Sequence, residues 1–278
     1  MLWAGNIAER RAVWPRGVYP EAGAGGKTAN VASLSLLGFA FYMLVMTGAF
    51  AVRSATGFGA VLIAMPMLAF ILPVSTAVSV TTALTSITSI HQVSRHWRRV
   101  AWGHFTIMAL YSAIGIGLGF YFINMLDEEA LRRGLGVFLI LYSLYALATA
   151  GKSPVLPSRW RRALAAGTGV VGGLLGTLFG AGVGPIYVIY FNTLRLEREI
   201  FRVTMSTVVL LGGAARIAGY ARLGFYEGSS VALIAIGLPL VVIGSWLGDR
   251  VIRRVDPAKF GWLVGGLIFV SGVALLVK

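Results

Sequence analysis

Twice in this chain a cluster of glycines interrupts an apolar run, and twice the arm that follows is too short to cross a bilayer. The first cluster is Thr56-Gly57-Phe58-Gly59-Ala60, with Pro66 in its arm; the second is Phe179-Gly180-Ala181-Gly182-Val183-Gly184-Pro185, followed by Ile186 to Asn192. As helices, the arms 60–72 and 184–192 would reach roughly 14 to 20 Å at 1.5 Å per residue, against a hydrocarbon core of about 30 Å. These lengths predict re-entrant hairpins that descend to mid-membrane and return to the same side. Lipid offers no hydrogen bonds, so irregular backbone at that depth is tolerated only beside protein or a water-filled cavity. Each cluster therefore predicts a cavity.

Composition supplies the bilayer. Hydrophobic residues make up 57% of the 278, charged residues only 12%, and the mean hydropathy is +0.81, where soluble domains carry about one-quarter charged residues. The apolar segments are 34–56, 59–72, 75–94, 103–124 and 131–150, then 163–179, 184–192, 203–220, 229–249 and 260–277. The expected organisation is a polar tail at 1–33, a first transmembrane repeat at 34–150, a basic linker at 151–162 and a second repeat at 163–278. The tail does not read as a cleavable signal, because Arg10 and Arg11 are followed by Pro, Gly and polar residues. Its Gly25-Gly26-Lys27-Thr28 lacks the first glycine and the preceding strand of a phosphate-binding loop. The formal charge of +14 sits in short loops between apolar runs, the pattern of basic cytoplasmic loops and not of a nucleic-acid surface.

The halves align. Gly57 and Gly59 fall on Gly180 and Gly182, Thr81 on Thr204, and Arg99-Val100-Ala101-Trp102 on Arg222-Leu223-Gly224-Phe225. After an insertion, Gly115, Gly119, Leu126, Asp127 and Gly136 fall on Gly244, Gly248, Val255, Asp256 and Gly265. The fold class expected is all-α: two repeats, each a Gly-broken hairpin plus three transmembrane helices. An odd number of spans per repeat makes the halves inverted. This arrangement puts Arg95, Arg98 and Arg99, the Lys152–Arg162 linker, Arg195, Arg198 and Arg202, and Arg250, Arg253, Arg254 and Lys259 on the cytoplasmic side. It leaves the tail, with Arg10, Arg11, Arg16 and Lys27, outside, against the charge rule, and segment 34–56 is long enough to span by itself.

A return arm that begins at a break points its free N–H groups and positive dipole end into the membrane, which favours an anion. Gly57, Gly59, Gly182 and Gly184 are the backbone candidates. Arg53, one turn before Gly57, is the first candidate for pairing an anion, because a guanidinium offers forked donors to oxyanion oxygens; Arg216 is the second. Thr81, Thr82, Thr85 and Ser86, with Thr204, Ser206 and Thr207 in the second repeat, could line the path or simply pack helices together. All ten acidic residues lie in or beside polar connections, which leaves His91 as the one group within a span that titrates near neutral pH. Gly172, Gly176, Gly180 and Gly184, at spacing four, predict close helix packing. Trp97, Trp102, Trp160 and Trp246 predict interfacial anchors. The chain has no cysteine, and neither its histidines nor its acids form a metal or acid–base pattern; no cofactor, no metal and no enzymatic activity are expected.

Arg53-Ser54-Ala55-Thr56-Gly57-Phe58-Gly59 with Pro66 resembles the first-repeat motif of the sulfite exporter TauE/SafE family of bacterial membrane transporters. Gly172 to Gly180, Gly184-Pro185 and Phe201-Arg202-Val203-Thr204 resemble the second, and the likeness runs from about residue 34 to the C-terminus. It implies export of sulfite, organosulfonates or related small anions across the bacterial inner membrane, and it adds Arg202 to the candidate substrate-binding residues. Ala60-Val61 and Val183 stand where the family often has further glycines, which predicts a less close backbone approach to the ligand or a different substrate. The function expected is a secondary transporter working by alternating access; an anion channel, or a carrier of another small organic anion, is the alternative. Without an intramembrane carboxylate for Na⁺, coupling falls to protons, through the substrate or His91, or flux is simply facilitated. The sequence leaves the oligomeric state and the side of the N-terminus open.

Overall fold

The computed structural model describes residues 35–56, 59–148, 158–180, 183–194, 196–226, 228–250 and 257–277. Gly57, Gly182, the polar tail and most of the basic linker lie outside them. The described residues form helices and turns without strands: α1 (Leu36–Thr56), α2 (Ala60–Leu68), α3 (Val74–His96), α4 (Trp102–Ile123), α5 (Glu128–Ala148), α6 (Ser158–Phe179), α7 (Val183–Asn192), α8 (Arg198–Arg222), α9 (Gly228–Arg250) and α10 (Pro257–Val277). Six of these, α1, α4, α5, α6, α8 and α9, are long and apolar enough to cross a membrane. Their outward faces carry large apolar side chains such as Leu110, Ile114, Leu141, Val242 and Ile243, which only a lipid surface tolerates in such number.

α3 is long enough to span but is not among those six, and its surroundings explain why. It packs between α2, α8 and α9, and nearly every residue from Ala77 to Ser86 is buried. Over that stretch the helix is wrapped in protein and needs no lipid-grade hydropathy. Its hydroxyls are mostly satisfied within the helix, Thr81 on Ala77 O, Ser86 on Thr82 O and Ser89 on Thr85 O, which is how Ser and Thr are carried through an apolar core.

Glycine sets the helix–helix contacts. α1 runs alongside α9, with the Tyr42 hydroxyl on Leu233 O at one end and Ser54 on Asp249 at the other. A β-carbon on Gly244 or Gly248 would lie 2.4 Å from Thr47 O or 2.0 Å from Ala51 O, so these backbones touch directly. α4 lies on α6 in the same way, Gly115 against Val170 and Gly173 against Ser112. The pairings repeat between the two sets of five helices: α1 on α9 as α6 on α4, α1 on α2 as α6 on α7, α3 on α9 as α8 on α4, with α3 on α8 and α5 on α10 joining the sets.

One end of the bundle is basic. Here Glu199 pairs with Arg99 and with His96 at 3.2 Å, and Trp97, Trp102, Trp160 and Trp246 are all about half exposed around the rim. The guanidinium of Arg250 sits 4.1 Å from the Trp246 ring centre. This is the belt expected at a membrane–water interface. At the opposite end the Glu128 carboxylate accepts the Val74 N–H, one of the donors left over where α3 begins. Glu128→Ala is expected to cost about 1 kcal/mol, readable as a lowered thermal midpoint in detergent.

The two hairpins have arms of unequal length. The return arms α2 and α7 are short, 9 and 10 residues, but the descending arms are full-length, 21 and 22 residues. Ser54, at the end of the first descending arm, donates to Asp249 of α9 at 2.7 Å, and Thr177, at the end of the second, accepts at its carbonyl from the Tyr220 hydroxyl of α8 at 2.6 Å.

Candidate functional site

The first break ends α1 with its last carbonyls unpaired, the general fate of a helix C-terminus. Arg202, on the first turns of α8, donates from Nη2 to Ser54 O at 3.1 Å and so caps that end. Arg53, one residue earlier, is buried at 8% exposure and donates from Nη2 to Ser89 Oγ on α3 at 2.8 Å. Ser89 passes the chain of donors on to Thr85 O at 2.8 Å. The Thr85 hydroxyl, a turn away on the same face, is buried without a partner. Arg53 and Arg202 are close enough for their like charges to interact. The Asp249 carboxylate, accepting from Ser54 at 2.7 Å, is the acid beside them. Two guanidiniums against one carboxylate leave the cluster net cationic among the described residues.

This is an expensive arrangement for a resting protein. A buried cation whose hydrogen-bond partner among the described residues is a single hydroxyl has forfeited its hydration for little return. A small oxyanion would change that, since the remaining guanidinium donors and the unpartnered Thr85 hydroxyl could bind its oxygens at charge-assisted strength. The start of α2 is on the same break. Gly59 has φ +97° and caps α2, while nothing lies within 4 Å of where its β-carbon would be. Room is therefore not the reason for glycine there; the left-handed backbone is. Gly59→Ala is expected to keep the fold and lose about 1 kcal/mol, checked by thermal unfolding.

The second break lies against the first arm. Gly180, at φ +67°, hydrogen-bonds back to Gly176 O at 3.1 Å, and a β-carbon on it would meet Val78 at 2.9 Å, Val61 at 3.2 Å and Thr81 Oγ1 at 3.6 Å. Val61, standing where a further glycine was anticipated, thus fills the space opposite the second tip. Gly172 faces the Tyr187 ring of α7, in keeping with the packing role expected of the glycine series.

The other candidates divide. Arg53, Gly59, Thr85 and Arg202 fall together around the first break, and Thr81 lies by Gly180. Thr204 is committed elsewhere: its Oγ1 accepts the Ala101 N–H at 3.0 Å, at the entry to α4. Thr207 bonds its own helix at Val203 O, and Ser206 bonds Gln92 at 2.8 Å. Gly184 is half-buried in α7. His91 is exposed and is not brought into the cluster. Arg216 is buried at 4% exposure on α8. Gly57 and Gly182 lie outside the described residues. Sequence reasoning missed Ser54, Ser89 and Asp249; Ser89 continues the Thr81, Thr85 face by one further turn, a signal that was available.

Six helices long and apolar enough to cross a membrane, packed round a buried cationic cluster, define a multi-pass membrane protein. Residues 41–275 match the family model described as Sulfite exporter TauE/SafE. The chain belongs to the sulfite exporter TauE/SafE family. No curated protein and no solved structure matches it.

Proposed function

We propose that this protein exports a small sulfur oxyanion, sulfite or an organosulfonate, across the bacterial inner membrane by alternating access, holding the anion at Arg53. The observation that carries this reading is a buried guanidinium whose hydrogen-bonded partner is the Ser89 hydroxyl, with Arg202 beside it and an idle Thr85 hydroxyl one turn away. Family membership supplies the substrate class. The matched helix pairings support inverted halves rocking about the breaks. The basic, Trp-rimmed end is the cytoplasmic one by the positive-inside rule. With His91 exposed, a sulfite substrate, which titrates near neutrality, carries the coupled proton itself, whereas an organosulfonate crosses without one.

Proteoliposomes loaded with labelled sulfite test this. Saturable efflux that sulfonates compete for is expected, steeper when the outside is alkaline. Efflux no faster than from protein-free vesicles would overturn the reading, and unitary currents in a planar bilayer would replace the carrier by a channel.

A further inference from the structure

Arg216 is the second buried cation among the described residues, and the site at Arg53 does not use it. Its Nε and Nη1 are buried without a hydrogen-bond partner. The charge of Arg216 acts on the phenols of Tyr187, Tyr220 and Tyr226, yet none of these serves it. Tyr220 donates to Thr177 O at 2.6 Å, Tyr226 donates to Ser79 O at 3.3 Å, and Tyr187 is bonded to Ser112. The guanidinium folds back along α8: Nη2 and Cζ lie 3.6 and 3.8 Å from where a β-carbon on Gly212 would be. That carries the charge inward by about a turn, to the middle of a helix that runs from Arg198 to Arg222.

The repeat gives this position a meaning. The register that sets Gly57 on Gly180 and Thr81 on Thr204 also sets Ser89 on Gly212 and Arg53 on Gly176. In the first repeat, a guanidinium from α1 rests on Ser89 of the central helix α3. In the second, Gly176 offers no side chain, and a guanidinium from the central helix itself rests at Gly212, the counterpart of Ser89. Arg53 stands on α1 just before the break that opens α2, and the charge of Arg216 acts on Tyr187 of the other short return arm, α7. The charge has been kept in place while the helix supplying it has changed.

We infer that Arg216 forms a second oxyanion site, the counterpart of the Arg53 site in the other repeat, so that the protein holds two small oxyanions, one per half. The pairing of sites rests on geometry, while the choice of a sulfur oxyanion rests on the function proposed above. Equilibrium binding of labelled sulfite to the full chain in lipid nanodiscs separates the two. Wild type is expected to bind two equivalents, and Arg216→Gln and Arg53→Gln one each. Arg216→Lys, which keeps the charge and guards against misfolding, retains both with one about tenfold weaker. A single equivalent in wild type that is lost in either variant would mean one shared site and overturn the inference, as would unaltered binding in Arg216→Gln. Two equivalents of sulfate with no sulfite bound would leave the paired sites standing and remove the substrate assignment.

Discussion

Arg53→Ala is expected to slow sulfite efflux from proteoliposomes by about 100-fold, the loss of one to two charge-assisted hydrogen bonds at roughly 1.5–3 kcal/mol each. The variant is expected to fold, because Ser89 keeps its bond to Thr85 O and a buried charge has been removed rather than stranded. Arg53→Lys retains the charge but loses the fork, which matters for planar, two-point recognition; roughly a tenfold loss is expected. Wild-type rates in the alanine variant would show that the anion is held elsewhere.

The second large effect is on assembly. Gly248→Val is expected to destabilise the protein by about 3 kcal/mol or more, since overpacking alone costs roughly 1–3 kcal/mol and here the added carbon would stand 2.0 Å from a backbone oxygen of Ala51. α1 would be forced off α9, and with it the Arg53 side chain off Ser89. Loss of both thermal stability and a monodisperse elution profile in detergent is the expected readout. Gly117→Ala is the matched control: nothing lies within 4 Å of its added carbon, and a change within about 1 kcal/mol is expected. Equal effects at both positions would contradict the backbone contact.

Much of this architecture was legible because it is written locally. Runs of apolar residues mark spans, glycine clusters mark breaks, and arm length separates a return arm from a full helix. Arg53 was legible too, because a cation inside an apolar run is costly wherever it stands. What surrounds it was not. Asp249 is distant in sequence and reaches Ser54 only because glycines let α1 and α9 touch. Thr204 looked like a lining hydroxyl, yet its acceptor capacity is spent on the Ala101 N–H, a partner no helical pattern reveals. His91 shares α3 with Thr85 and Ser89 but, six residues beyond Thr85, is turned well away from their face at 3.6 residues per turn. Arg216 stands about two turns from the end of α8 by its backbone position, but its side chain runs back toward Gly212, as helical side chains lean toward the N-terminus.

The claim at the centre is that a small oxyanion sits at Arg53. Selenite, the heavier congener of sulfite, can be located by its anomalous scattering in crystals of the full chain. A selenium peak is expected within hydrogen-bonding reach of the Arg53 guanidinium, Ser89 Oγ and the Thr85 hydroxyl. Peaks confined to the exposed arginines of the basic end, with none at Arg53, would contradict it.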